Sequence, residues 1–413
     1  MANRFLTISE ITYEAAMILK NACKFASRCD RQYDDRFARA GAKIGDTINI
    51  RKPWRPVGRE SMTANFEGIY EPYVALTLDK PFGVDMNFSL TDLTLSMDDF
   101  RRRYITPAVV KIANYVDEVG MALYDQIPWM LGTPGTTPNS LLPFARGAAI
   151  LTEEGFPRDD FESMRTMLLN PETMAVMADA KSGLFNPQGA ISEQYRTGLM
   201  SLASGWSWFE SPNTVVHTVG PQGGTPAVNG ASQTGSSLIT NGWTSAAANR
   251  LKKGDVFTVA GVYAVNPQNR LSTARLRQFV ATADVDSDGS GNATIPIYPE
   301  ITPINADGTH PQFQTVTGSP GHGALLTVVG SANAVSAQSL GFYRDAITLA
   351  MVDLELPPAI PANAKERVSD PESGISIRMY QYQDGVHDVS GARLDVLFGY
   401  KVVYPEGCVR IAA

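Results

Sequence analysis

The 413 residues suffice for two or three domains, and 44% hydrophobic with 19% charged residues is the balance of a globular chain, which excludes a disordered one. A formal net charge of -7 gives no electrostatic drive toward nucleic acid, because that binding rests on cationic side chains displacing counterions. Three cysteines, Cys23, Cys29 and Cys408, make neither a disulfide framework nor a zinc pair, so a reducing compartment is expected. The opening "MANRFLTISEITYE" has no apolar core of signal-peptide length, since Ser9, Glu10 and Glu14 interrupt it, and no apolar run approaches the ~20 residues of a membrane span. The expectation is a soluble protein, cytoplasmic when made, without a membrane partner.

The first predicted element is a helix. Ile8, Ile11, Ala15, Leu19 and Ala22 form one apolar stripe, and Thr7 with Glu10 makes a capping box. A polar stretch through Asp30, Arg31, Asp34, Asp35 and Arg36 follows. Such a helix on a charged tether either docks on its own domain or reaches a neighbour. Thr47 to Ile50 alternates like a strand, and strand character resumes with Val74, Leu76 and Leu78 on one face. Between them lies a long polar excursion carrying Arg51, Lys52, Arg55 and Arg59. It reads as an extended loop standing away from the core. Its cations are a candidate nucleic-acid patch or, more in keeping with the acidic balance, a solvated face and partners for acids on another surface.

The strongest helical signal is "ITPAVVKIANYVDEVGMALYDQ". Thr106 is placed to cap, Pro107 suits the first turn, and Val109, Ile112, Val116, Val119 and Leu123 make one buried seam. Lys111, Asp117, Glu118 and Asp125 fall off it. Arg101, Arg102 and Arg103 precede this spine, either as a phosphate clamp or as surface ion-pair partners. The stretch 146–212 alternates short helices and strands, with a strand expected over Thr166 to Leu169 and a helix after the Asn170-Pro171 turn. From about Val219 to Ala337 the composition shifts to Gly, Ser, Thr, Asn and Ala, and helical periodicity vanishes. "LKKGDVFTVAGVYAVNP" predicts two short strands around Ala260-Gly261, and "RLRQFVATADV", "NATIPIYPEI", "FQTVTG" and "ALLTVVG" predict more. Short strands between turn signals mean a small antiparallel barrel or sandwich. Mixed text resumes after it, as around an inserted domain. The end is strand-rich, with Ile375, Ile377 and Met379 on one face and Leu394, Val396 and Phe398 on another.

The stretch "DVDSDGSGN" places Asp284, Asp286, Asp288 and Gly289 as a calcium loop would, but position twelve is Ile295, which cannot ligate. The flanks are strands, so a hairpin tip is the reading, with calcium at most weakly held. Catalytic motifs are missing from the sequence. His217, His310, His322 and His387 lie far apart, "GSPGHG" lacks the Lys-Ser/Thr of a phosphate loop, and Asp159-Asp160 sits at a helix start where acids favour the dipole. No cofactor is implied.

The order of these segments resembles the major capsid (coat) protein of tailed double-stranded-DNA bacteriophages, of the short-tailed-phage type with an inserted β domain. The resemblance is carried by "DDFRRRYITPAVVKIANYVD", "LFNPQGAISEQYRTGLM", "LKKGDVFTVAGVYAVNP" leading to "ATADVDSDGSGNATI", and "LDVLFGYKVVYPEGCVRIA", spread over nearly the whole chain. It implies an α+β tailed-phage major capsid fold: an N-terminal arm (1–41), a strand and extended loop (42–80), and a peripheral domain (81–207) with its spine helix about 105–126. An axial domain (208–218 and 338–413) and an inserted antiparallel β-barrel domain (219–337) complete it. It implies self-assembly into an icosahedral virion shell in the host cytoplasm, with a scaffolding protein and a portal as partners. Double-stranded DNA would be enclosed without specific binding. Candidate inter-subunit contacts are Arg51, Arg55, Arg59, Arg101, Arg102 and Arg103.

Two other classes stand beside this one. A carbohydrate- or receptor-binding β module would expose aromatics in the inserted domain, for which Tyr263, Phe279 and Tyr298 are the candidates. A carboxylate-dependent hydrolase would need an acid pair that a sequence does not reveal.

Overall fold

The computed structural model describes residues 12, 15, 23–32, 45–59, 62–64, 66–89, 104–157, 164–180, 202–245, 247–358, 360–361, 364–369, 376–384 and 389–413. The Arg101–Arg103 run, the acids at 159–160, the text around 184–200 and His387 lie outside them. So does nearly all of the first expected helix, of which Thr12 and Ala15 are described, both helical and fully buried. The chain divides into two compact units. One comprises Met1–Ile50, Val74–Gly120 and Ile347–Val403; the other comprises Arg51–Tyr73, Met121–Ala346 and Tyr404–Ala413.

In the first unit the 14-residue strand Val389–Val402 organises an antiparallel sheet. Lys80–Ser89 pairs along it from Val389↔Ser89 to Phe398↔Lys80, and Ile347–Met351 takes over from Phe398 to Val402. On its other side lies Ser376–Asp384, then Lys365–Ser369. Of the expected apolar faces, Ile377, Met379, Leu394, Val396 and Phe398 are all inaccessible or nearly so, and Ile375 lies outside the described residues. The helix Thr106–Met121 packs here through its seam of Val109, Ile112 and Val116. Each such side chain, once buried, stabilises by about 1.5–3 kcal/mol. Tyr115 stacks on Phe82 at 4.0 Å between centroids and meets Phe398 edge-on. Thr106, expected as the cap, already has helical backbone, because a π turn at Tyr104 and Ile105 precedes it. Beyond Met121 the chain tightens into a 3₁₀ turn, Ala122–Gln126.

The second unit holds a seven-stranded mixed sheet and the inserted domain. Val335–Tyr343 pairs with Cys408–Ala412 on one side, and with Val215–Thr218 and then Arg165–Leu169 on the other. Cys408–Ala412 and Arg165–Leu169 are buried at every position. That burial follows from cover on both faces, to which the helix Leu142–Glu153 contributes Phe144, Ile150 and Leu151.

The expected inserted antiparallel β domain is a barrel of six strands. Their order is Leu326–Val328, Val256–Val265, Ser272–Ala281, Ala293–Ile301, Gly235–Trp243 and Gly224–Val228. The first and last meet. Ala227 bridges Leu325, Val228 N–H donates to Ala324 O at 2.9 Å, and Gly323 N–H donates to Val228 O at 2.9 Å. Leu238, Trp243, Phe257, Val259, Phe279 and Ile295 fill the interior. Closure removes the exposed sheet edges that invite aggregation. The strands flanking the insertion, Val215–Thr218 and Val335–Tyr343, pair with each other at Thr218↔Val335.

Three local expectations are corrected. Val256–Val265 is one strand, not two. Gly261 takes φ +80°, and the register slips between Thr258 and Tyr263, so the glycine is a bulge inside a strand. "FQTVTG" makes only an isolated bridge, Ala264↔Val316, because its carbonyls and amides serve loop contacts such as Val316 N–H to Thr302 O. Gly224–Val228 and Gly235–Trp243 are strands where the Gly/Ser/Thr-rich text carried no strand signal.

Candidate assembly surface

Among the described residues of its unit, the loop 51–73 carries the least covered large apolar side chains. Met62 is 101% and Phe66 93% exposed, and Ile69, Tyr70 and Tyr73 are also open to solvent. Such nearly complete exposure of large apolar side chains leaves them without the burial that usually stabilises them. The loop is not a loose excursion. The Glu67 carboxylate accepts N–H bonds from Val57 at 2.9 Å and Gly58 at 2.8 Å, tying its two legs together. Lys52 N–H donates to Pro72 O at 2.7 Å nearer the base.

The expected cations of this loop are engaged within the chain. Arg51 faces Glu71 at 3.7 Å. Arg59 Nη1 donates to Thr63 O at 2.7 Å. Arg55 lies 3.9 Å from Glu406 and over the Phe313 ring at 5.4 Å. Lys52 sits over the Tyr404 ring, and burial pushes its pKa down. Burial also acts to raise the Glu406 pKa, but Lys52 and Arg55 outweigh it and hold the carboxyl below its usual range. The structure therefore brings Arg51, Arg55 and Arg59 onto one loop, while Arg101, Arg102 and Arg103 lie outside the described residues. The apolar tip was missed because Met62, Phe66, Ile69 and Tyr70 are scattered in polar text without a period.

Asp117, expected on the exposed side of the spine helix, is buried. Its carboxylate accepts the backbone N–H groups of Lys24 (2.7 Å), Phe25 (3.2 Å) and Ala26 (3.2 Å). Burial raises its pKa, and those three donors oppose the rise. This bond set anchors the stretch that follows the first predicted helix.

The barrel is seated by polar groups. Arg277 donates to Glu154 at 2.5 Å and lies over Trp129, whose Nε1 donates to the same carboxylate at 3.1 Å. Gln278 exchanges two bonds with the Met130 backbone, at 2.7 and 3.0 Å. Tyr124 Oη bonds His217 Nδ1 at 3.1 Å, and His217 Nε2 bonds Asp255 at 2.8 Å. Asp255 also accepts from Gly220 N–H and Lys252 N–H, so this Tyr–His–Asp chain ties the entry strand to a barrel turn. Arg410, fully buried, donates to Gly254 O, and burial pulls its pKa down to about 10.

The carboxylates of 284–292 bind main-chain amides, Asp288 within the turn and Asp284 and Asp286 on the neighbouring segment 249–253. Asp284 accepts from Lys253 N–H at 2.8 Å, Asp286 from Asn249 N–H, and Asp288 from Ser290 and Asn292 N–H at 2.8 Å each. The Asn292 and Ser290 donors hold Asp288 below the ordinary carboxylate range. Among the described residues no group of three or more His, Cys, Asp or Glu side chains is placed to hold a metal. Of the three barrel aromatics, Phe279 is fully buried and Tyr263 is exposed.

A whole-chain likeness defines the class as a phage coat protein. The model of the family described as "P22 coat protein - gene protein 5" matches residues 1–411, and the chain belongs to that family. It is a major capsid protein that assembles with copies of itself into the phage head, and its place is the virion shell. The chain is similar to a solved structure from Mycobacterium phage Che8 at 12% identity and a TM-score of 0.46, covering 100% of this chain and 93% of that one. It is similar to the capsid of Ralstonia phage GP4 at 7% identity and a TM-score of 0.47, covering 93% and 86%. The capsid of Cyanophage P-SCSP1u is similar at 10% identity and a TM-score of 0.43, covering 90% and 84%. No curated protein matches the chain.

Proposed function

We propose that loop 51–73 is the strap by which one capsid subunit grips the next. The observation that carries this is the exposure of Met62, Phe66, Ile69, Tyr70 and Tyr73 on one loop whose legs are braced by Glu67. In a shell it is covered by a neighbouring copy, and the sum of many modest symmetric contacts holds the particle. Arg51, Arg55 and Arg59 border this surface, and Arg101, Arg102 and Arg103 are further candidate subunit contacts. The N-terminal arm 1–41 is the contact for a scaffolding protein or neighbour, with its inner end moored on Asp117. On this reading 81–207 with the spine helix is the peripheral domain, and 208–218 with 338–413 is the axial domain that carries the inserted barrel. The shell forms in the host cytoplasm, closes on a portal and encloses double-stranded DNA without gripping it. The role is structural rather than enzymatic.

Negative-stain microscopy of the expressed protein tests this. Closed shells or tubes are expected, and lone subunits at concentrations where related coats assemble would refute it.

A further inference from the structure

The turn joining barrel strands Val256–Val265 and Ser272–Ala281 contains Arg270, which is 6% exposed and has left-handed backbone at φ +57°. Its guanidinium meets five main-chain carbonyls from three segments. Nη2 donates to Pro56 O at 2.9 Å, to Arg55 O at 3.2 Å and to Gln312 O at 3.5 Å. Nε donates to Pro311 O and Nη1 to Gln268 O, both at 3.4 Å. A planar fork of five N–H donors suits such a constellation, and a single ammonium does not. The other leg of the loop is held by the second barrel connection. Gln312 Nε2 donates to Gly68 O, and Tyr70 meets the Phe313 ring edge-on at 6.0 Å. Both legs of loop 51–73 are thus gripped by barrel turns, while the tip around Met62 and Phe66 lies beyond the grip.

We infer that Arg270 is a positioning residue for shell assembly: the inserted barrel aims loop 51–73 by holding its main chain. This rests on the reading of that loop as the inter-subunit strap. The grip contacts carbonyls, so it is indifferent to the loop's side chains at Arg55 and Pro56. It also gives the inserted domain a part in assembly that needs no contact of its own with a neighbour.

The test is hydrogen exchange on the full-length free subunit, paired with shell yield by sedimentation. In Arg270→Ala, the amides of Arg55, Val57 and Gly58 should exchange about tenfold faster, the scale expected when hydrogen bonds to a charged group are lost. Barrel amides such as Phe257 and Ile295 should keep their protection, and shell yield should fall. Arg270→Lys keeps the charge without the fork and should show the same loop acceleration, smaller in size. It decides the matter should the alanine variant unfold the barrel. Unchanged loop exchange overturns the inference, and so does faster loop exchange with normal shell yield. Phe66→Ser separates the two readings. Normal shells from it would remove the strap itself, whatever Arg270 does to the loop's exchange.

Discussion

Asp117 and Glu406 are both carboxylates with burial acting to raise their pKa, yet they end on opposite sides of the ordinary range. Around Asp117 burial wins over three backbone donors, so its pKa is raised. Glu154 behaves likewise, with burial outweighing Arg277. The folded state binds these two protons more tightly than the unfolded chain does. Their contribution to stability therefore weakens as pH rises through the gap between unfolded and folded values. At Glu406 the nearby Lys52 and Arg55 outweigh burial and the pKa is lowered from 4.5. Its contribution is present above pH 4.5 and is lost as pH falls through the lower folded value. Glu406→Gln is accordingly expected to cost about 1 kcal/mol at pH 7, the scale of a partly exposed ion pair. Denaturant unfolding of both proteins from pH 7 to 3 should show that difference shrinking below pH 4.5. A difference that stays constant with pH would mean the pair is not what holds the carboxyl. None of this was legible beforehand, because burial of an acid depends on what packs over it.

At the scale of elements, the spine helix was legible and its partner was not. Val109, Ile112 and Val116 announce a buried seam by their spacing. Gly120 in the same helix looks like a defect worth about 1 kcal/mol relative to alanine. It is instead the seat of Phe25: a Cβ there would fall 2.3 Å from Phe25 Cδ1. The ring has little room to yield, since Asp117 pins the Lys24, Phe25 and Ala26 amides. Gly120→Ala is therefore expected to destabilise by about 1–3 kcal/mol despite its better helix propensity. A shift of the denaturation midpoint to lower denaturant checks this, and a stabilised variant would show that the ring moves aside freely. The barrel strands divide in the same way. Val256–Val265 and Ala293–Ile301 show alternating apolar residues, whereas Gly224–Val228 and Gly235–Trp243 are strands because barrel closure supplies partners for their backbone. The turn expected in 284–292 falls at Asp288 to Gly291, with Gly291 at φ +75°, and the Asp284, Asp286 and Asp288 carboxylates each accept from a main-chain amide.

For the whole molecule the relevant quantity is the net charge of -7. A subunit of this sign has little electrostatic drive toward DNA, since few phosphates can be neutralised. Fluorescence anisotropy with a duplex at physiological salt should give a dissociation constant weaker than about 100 µM. Submicromolar binding would rule out a passive lining. The loop at 51–73 belongs to this scale too. The sequence marks it by its cations, Arg51, Arg55 and Arg59, but those have partners within the chain, whereas Met62 and Phe66 at its tip are open to solvent and are the side chains the proposed strap would use.

By itself the amino-acid sequence determined what repeats along the chain or depends on near neighbours. That covers the spine helix, the alternating strands, the presence of an inserted β domain, and the order of segments that marks the family. Only the tertiary structure decided which groups far apart in sequence meet. It chose Asp117 as the mooring for Lys24 to Ala26, the closure of the barrel through Ala227 and Leu325, and the hold of Arg270 on Arg55 and Pro56. The physical reason is that periodicity reports one face of one element. A hydrogen bond between residues 55 and 270 leaves no periodic trace, and an arginine that binds main-chain carbonyls asks nothing of the side chains it holds.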